Sequence, residues 1–311
     1  MSTSGEDRST DTMDLDVEAV WPTALIHCEK EDDEMRALTD QLAIASVGLG
    51  VKLADMLRNV ELAFLPHPNY VASQPALNWT DRGALMDWLA WVHADMKLSA
   101  ETLFCTVNMV DRFLSQRQVG RRKLRHLGVT CLSLASKTEE IMEPSSFKFA
   151  EYEGDCCPED LERYQKYVKK TLGSEIRYPD PTRLLRQMCE GDEDAKAVGE
   201  FLMVISTVEH RLLRAPPSLV AAAAVWTAHV VLGKEERMPD LTHEYSWYTK
   251  AHMIATAEIM VDYVRRPIRH GAIWEKYATK KYRKASTIVR NWALAAWPEG
   301  TQVSLEDHRR G

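Results

Sequence analysis

Catalytic signatures are missing from this sequence. It holds no G-x-x-x-x-G-K-[ST], no H-E-x-x-H and no G-x-S-x-G. Phosphate-loop nucleotide binding, zincin hydrolysis and serine-elbow chemistry therefore have no foothold. Its ten histidines are scattered; His93 and His126 have no His or Cys at ligand spacing and read as structural. No C-x-x-C occurs among the six cysteines, and the neighbours Cys156 and Cys157 are weak metal ligands alone. Cys105 and Cys131 fall in apolar helical patterns and read as small buried hydrophobes. The residues thus call for no metal, no cofactor and no catalysis, and with no signal peptide the chain reads as reduced and intracellular. The longest apolar run, Leu219 to Leu232, is too short to span a bilayer. A broad basic excess is missing too. The net charge is −7, with residues 1–42 at −9 and the remainder at +2, which disfavours a nucleic-acid binder.

What is present is helical patterning on ordinary composition, 45% hydrophobic and 27% charged over 311 residues. Residues 1–16 are polar and acidic, and "EKEDDE" at 29–34 is a charge run; residues 1–42 read as a disordered acidic segment. From about Ala43 onward the pattern turns helical, and period-two alternation is rare. Leu85, Trp88, Leu89, Val92 and Met96 share one helix face. Ser99 is a candidate N-cap for a second helix, with Glu101 near its positive end and Leu103, Val107, Val110 and Leu114 as its stripe. Leu124, Leu127, Gly128, Cys131, Leu132 and Ala135 mark a third, where the small Gly128 and Ala135 suggest a backbone crossing closely. Pro158 starts a further helix, and "RYPDP" at 177–181 marks a boundary. Beyond it, "PPSLVAAAAVWTAHVVL" at 216–232 is apolar nearly all round, as expected of a helix at a domain centre. Trp79, Trp88 and Trp226 read as core or helix-junction residues. One very apolar helix in each half suggests a duplicated all-α domain, with boundaries at 1–42, 43–175, 176–297 and a tail at 298–311.

The order and spacing of several stretches resemble the cyclin family, over roughly 45–290. They are "PHPNYVASQPALNW" (66–79), "DRGALMDWLAWVH" (81–93), "ETLFCTVNMVDRFLS" (101–115), "KLRHLGVTCLSLASKTEEI" (123–141), "PPSLVAAAAV" (216–225) and "KYATKKYRKAS" (276–286). The likeness is to B-type, mitotic cyclins, fungal ones especially, with this chain a divergent member. It implies two tandem five-helix boxes with a preceding helix. It also implies a non-catalytic subunit, resident in nucleus and cytoplasm, that activates a cyclin-dependent protein kinase in G2/M control by gripping its mobile αC helix.

The resemblance also assigns residues. Lys137, with Glu140 and Gln165, matches the position that bonds the kinase, and Phe147 and Leu161 would add apolar area. Gln165 stands where the family carries a glutamate, so the charge-assisted bond to Lys137 is lost. Read by charge alone, Lys137 and Glu140 are a solvated helix end. Arg82 and Asp111 match a structural ion pair. Leu85, Trp88 and Leu124 match the floor of a groove for Arg-x-Leu substrate motifs, but its rim departs: Asp81 stands for Met, Trp91 for Glu and Arg125 for Gln. Arg125 would repel a docking arginine, so that motif class should bind weakly or differently. Arg186 and Lys196 match part of a phosphate-reading cluster in which Glu200 would repel phosphate. The basic residues Arg265, Arg266, Arg269, Lys280, Lys281, Arg283 and Lys284 read as solvated surface. The usual destruction motifs are not found in the N-terminal segment. The two Arg-x-x-Leu matches, Arg82–Leu85 and Arg121–Leu124, fall in expected helices. The expectation is a chain outside the usual mitotic destruction route, a fragment or a divergent paralogue. The second reading is a cyclin-box scaffold that binds a kinase or other proteins without activating it. A nucleic-acid-binding use of the same fold is disfavoured by the charge balance.

Overall fold

The computed structural model describes residues 58–154, 157–173, 176, 178–234, 236, 248–298 and 300–305. The acidic segment 1–42, the helical pattern up to residue 57, Cys28 and Cys156 lie outside the described residues. Among the described residues the architecture is all helix, without strands.

The first repeat has five helices: α1 (Trp79–Asp95), α2 (Ala100–Gln116), α3 (Leu124–Glu139), α4 (Ser146–Glu153) and α5 (Pro158–Leu172). The second has α6 (Pro181–Met188), α7 (Glu193–Ile205), α8 (Pro217–Val231), α9 (Lys250–Arg265) and α10 (Gly271–Ala278), closed by α11 (Ala285–Ala296). In each repeat the third helix is the hub. Residues 126–136 of α3 are all buried, and so is α8 from Pro217 to Val230.

Local chemistry explains the helix starts. Asn78 and Asp81 form a reciprocal capping box at α1, at 2.9 and 3.0 Å. Pro158 and Pro217 occupy first-turn positions of α5 and α8, where a missing N–H costs nothing. Asp180 and Asp192 cap α6 and α7. Lys234, just beyond α8, bonds both carboxylate oxygens of Asp192 at 2.8 and 2.6 Å. Ser99 caps α2 by position, but its side chain does not reach the free N–H groups.

Gly128 of α3 meets side chains rather than a crossing backbone, which corrects the sequence-based expectation. A methyl there would sit 2.9 Å from Leu85 Cδ1 and 3.2 Å from Leu89 Cδ1, so two α1 leucines fill the notch. A buried knot joins α1 to α2. Arg82 donates from Nε and Nη2 to the two oxygens of Asp111 at 2.8 and 2.7 Å, and Tyr70 donates to the same carboxylate at 2.8 Å. Both charged side chains are about 2% exposed or less.

Several contacts tie the second repeat to α1 and to the stretch before it. Asp87 of α1 accepts from the amides of Ala272 and Ile273 at the start of α10, at 3.3 and 3.1 Å. Trp79 stacks on His210 with centroids 4.6 Å apart. His270 lies so close to Gly83 that a Cβ would be 2.6 Å from Nε2, which explains the glycine. Glu61, in the helical stretch 58–63, accepts from the Ser218 amide at 3.2 Å and its hydroxyl at 2.5 Å, at the start of α8.

Candidate functional site

The C-terminal end of α3 and the turn into α4 make an unusual surface. Lys137 sits in the last turn of α3, where the helix dipole favours a cation. Its Nζ donates to Gln165 Oε1 of α5 at 3.1 Å, and Gln165 Nε2 donates to Ser133 Oγ at 2.9 Å. The buried amide therefore aims the ammonium without neutralising it. Two of its three N–H donors stay available to a partner. Beside it, Ile141, Met142 and Phe147 are 104%, 87% and 67% exposed. Three large apolar side chains held in water next to an oriented cation have the composition of a protein-binding patch.

Several expected residues take other places. Leu161 is fully buried; with Gln165, Val168 and Leu172 it forms the inner stripe of α5. It is a core residue and cannot offer contact area, so that expectation is corrected. Ile141 and Met142 supply the apolar surface in its place. They were legible as large hydrophobics just beyond a helix end, yet no periodic pattern marks them. Glu140 turns inward. Its Oε1 accepts from the Ser99 amide at 2.7 Å and from the Thr102 hydroxyl, providing the α2 cap that Ser99 does not. Glu140 thus fixes the loop that carries Ile141 and Met142. Phe147 stands on the surface and Lys137 meets Gln165 as drawn from the sequence.

The second expected surface lies around α1 and the start of α3. Leu85 and Leu124 are buried and support it from below. The accessible part is Trp88, the half-exposed Trp91 and Arg125, whose guanidinium sits 5.0 Å over the Trp88 ring. Trp91 meets Tyr152 of α4 edge-on at 5.8 Å, and Tyr152 donates to Asp95. The Arg-x-x-Leu match at 82–85 is buried in α1; in the other, Arg121 lies in a 3-10 turn ahead of buried Leu124.

The cluster around Arg186 is already paired. Arg186 bonds Glu101 of α2 and Thr182, and Lys196 lies 3.5 Å from Glu193. Glu200 is held above the usual carboxylate range chiefly by burial, and Lys276 is pushed down to about 8 by burial as well. Among the described residues no group of three or more His, Cys, Asp or Glu could hold a metal ion, and no helix is long and apolar enough to cross a membrane.

Residues 52–177 match the model of the cyclin N-terminal domain and residues 181–291 that of the cyclin C-terminal domain. Among curated proteins, the G2/mitotic-specific cyclin-B of Emericella nidulans is 37% identical over 247 residues, 78% of this chain and 52% of that protein. The G2/mitotic-specific cyclin cdc13 of Schizosaccharomyces pombe is 37% identical over 246 residues, 78% of this chain and 51% of that one. The chain thus spans about half the length of the curated relatives it matches. A viral cyclin from herpesvirus saimiri superposes with a TM-score of 0.58 at 16% identity, over 67% of this chain and 94% of the viral one, a likeness of fold alone. With both domain models matched in tandem across two helical repeats, the chain belongs to the cyclin family.

Proposed function

We propose that this protein is a regulatory subunit that binds and activates a cyclin-dependent protein kinase in G2/M control, in nucleus and cytoplasm. The observation that carries the reading is the oriented Lys137 ammonium beside exposed Ile141, Met142 and Phe147. Such a face suits a helix on the kinase. The apolar trio covers its side, and Lys137 bonds carbonyls at its end. A kinase is active only with its strand lysine and αC glutamate paired. A subunit that binds the paired state better shifts the population toward it by the ratio of the two affinities.

The test is purification of the chain with its associated kinase, followed by a phosphotransfer assay on a generic peptide. Lys137→Ala and Phe147→Ala together are expected to weaken association by about thirtyfold to a thousandfold, taking roughly 1–2 kcal/mol for each contact. Both side chains are exposed, so the unfolding midpoint should not move. Undiminished association in the double variant removes the reading. Association without activation would favour the scaffold alternative, which the neutral Gln165 keeps in view: Lys137 lacks the carboxylate that would hold it through a charge-assisted bond.

A further inference from the structure

We propose that the outer face of α1, together with the start of α3, docks an acidic peptide segment carrying apolar side chains, as found on a protein partner. The argument begins with what is exposed there. Trp88 and Trp91 lie three residues apart on α1, so their side chains are surface neighbours. Trp91 is half in water. Its ring is braced edge-on by Tyr152, whose hydroxyl is tied to Asp95. This gives a rigid aromatic strip, costly to leave wet and ready to cover an apolar side chain.

The charge beside the Trp88 end of the strip is mainly positive, while Asp95 lies at the Trp91 end and is taken up by Tyr152. Arg121, Arg122, Lys123 and Arg125 are all exposed at the turn into α3 and its first residues. Asp81 offsets Arg121 at 2.9 Å. Lys123 lies 5.8 Å over Tyr164, and Arg125 lies 5.0 Å over Trp88. Stacking uses the face of a guanidinium and leaves its edge N–H groups free for a carboxylate. Arg125 can therefore hold its place on Trp88 and pair with a ligand acid at once. A ligand arginine would have to displace Arg125 from Trp88 and then sit among three remaining cations. The surface thus prefers carboxylates flanking an apolar pair, the reverse of a groove that takes basic motifs. It lies at the opposite end of α3 from Lys137, so its occupancy is separable from kinase binding.

The experiment is fluorescence anisotropy with the purified full-length chain and three labelled peptides. Each carries the same two leucines, flanked by glutamates, glutamines or arginines. The glutamate peptide is expected to bind at least about tenfold tighter than the arginine peptide, a difference of about 1.4 kcal/mol. Its affinity should fall several-fold as salt rises from about 50 to about 300 mM. Arg125→Glu should abolish or invert the preference, Trp91→Ala should weaken the glutamate and glutamine peptides alike, and Lys137→Ala should change nothing. All three substitutions are at exposed positions, and circular dichroism confirms that each variant folds. Equal binding of the three peptides, preference for the arginine peptide, no binding of any, or indifference to Arg125→Glu each overturns the proposal. Kinase association measured on the same preparations tells that failure apart from failure of the regulatory reading.

Discussion

Glu61 offers a direct test of how the second repeat is held to the segment before α1. It is a buried carboxyl at the start of α8, bonded to the amide and hydroxyl of Ser218, and the Ser218 hydroxyl meets the Tyr248 hydroxyl at 2.6 Å. Burial is the largest influence and pushes the carboxyl up to about 7, against the pull of the Ser218 bonds and of Arg58. Tyr248 and Tyr178, the other ionisable groups nearby, are held well into the neutral range and add no charge. A carboxyl that binds its proton more tightly folded than unfolded stabilises the fold most at low pH. That contribution is complete below the unfolded value of 4.5 and is lost as pH rises through about 7. Its full size is about 3 kcal/mol at about 1.4 kcal/mol per unit.

Several histidines work in the opposite sense. Burial lowers His93 to about 4, and it also lowers His126, His210 and His270. Those groups bind protons more readily unfolded, so their contribution grows with pH up to the ordinary histidine value. The informative quantity is therefore a difference. Glu61→Gln keeps an acceptor for the Ser218 amide and removes the titration. Measured by urea unfolding with tryptophan fluorescence, the parent chain should lose about 2.5 kcal/mol relative to the variant between about pH 5 and pH 8. The histidine contributions cancel in that comparison. A difference that stays flat within about 0.5 kcal/mol across the range would refute the reasoning.

Arg82→Ala strands the Asp111 carboxylate in the core and should cost about 3–5 kcal/mol, read as a lowered urea midpoint. A change below about 1 kcal/mol would mean that the pair is solvated in solution. Gly128→Ala puts a methyl 2.9 Å from Leu85 Cδ1 and pushes on the buried Leu85 and Leu89. An overpacking cost of about 1–3 kcal/mol, offset by about 1 kcal/mol of helix propensity, leaves a net loss of up to about 2 kcal/mol, whereas Gly120→Ala, with open space around it, should be near neutral.

How much of this was legible in the sequence depends on the range of the interaction. The α1 and α2 stripes, the proline starts of α5 and α8 and the apolar hub at α8 are set by neighbours within a turn or two, and periodicity exposed them. The burial of Leu161 is also written locally: Leu161, Gln165, Val168 and Leu172 repeat at helical spacing and mark an inner face. Other features lay out of reach. Asp87 meets the amides of α10 across 185 and 186 residues, and Glu61 meets Ser218 across 157. A lone Asp or Glu in a helix gives no local sign of such a partner. Glu140 belongs to the same class, since its role follows from α2 lacking a side-chain cap.

Glu140 and Glu61 share a physical logic that bears on the proposed activity. Each inserts a carboxylate at a helix start where unpaired amides leave positive charge: Glu140 at α2, Glu61 at α8. Each also anchors a neighbouring segment. Glu140 pins the turn with Ile141 and Met142, while Glu61 pins the stretch entering α1. Gln165 does the same for Lys137 with a neutral amide. Pinning matters because a subunit that selects one shape of a mobile partner gains nothing from a surface that moves with it. Differential affinity requires that the deformation fall on the partner. On this argument Glu140→Gln should leave Lys137 in place and still weaken kinase association, through a loosened Ile141–Met142 turn. Hydrogen exchange at residues 140–143 should rise in step with the lost affinity. Lost affinity with unchanged exchange would instead place Glu140 in the contact itself.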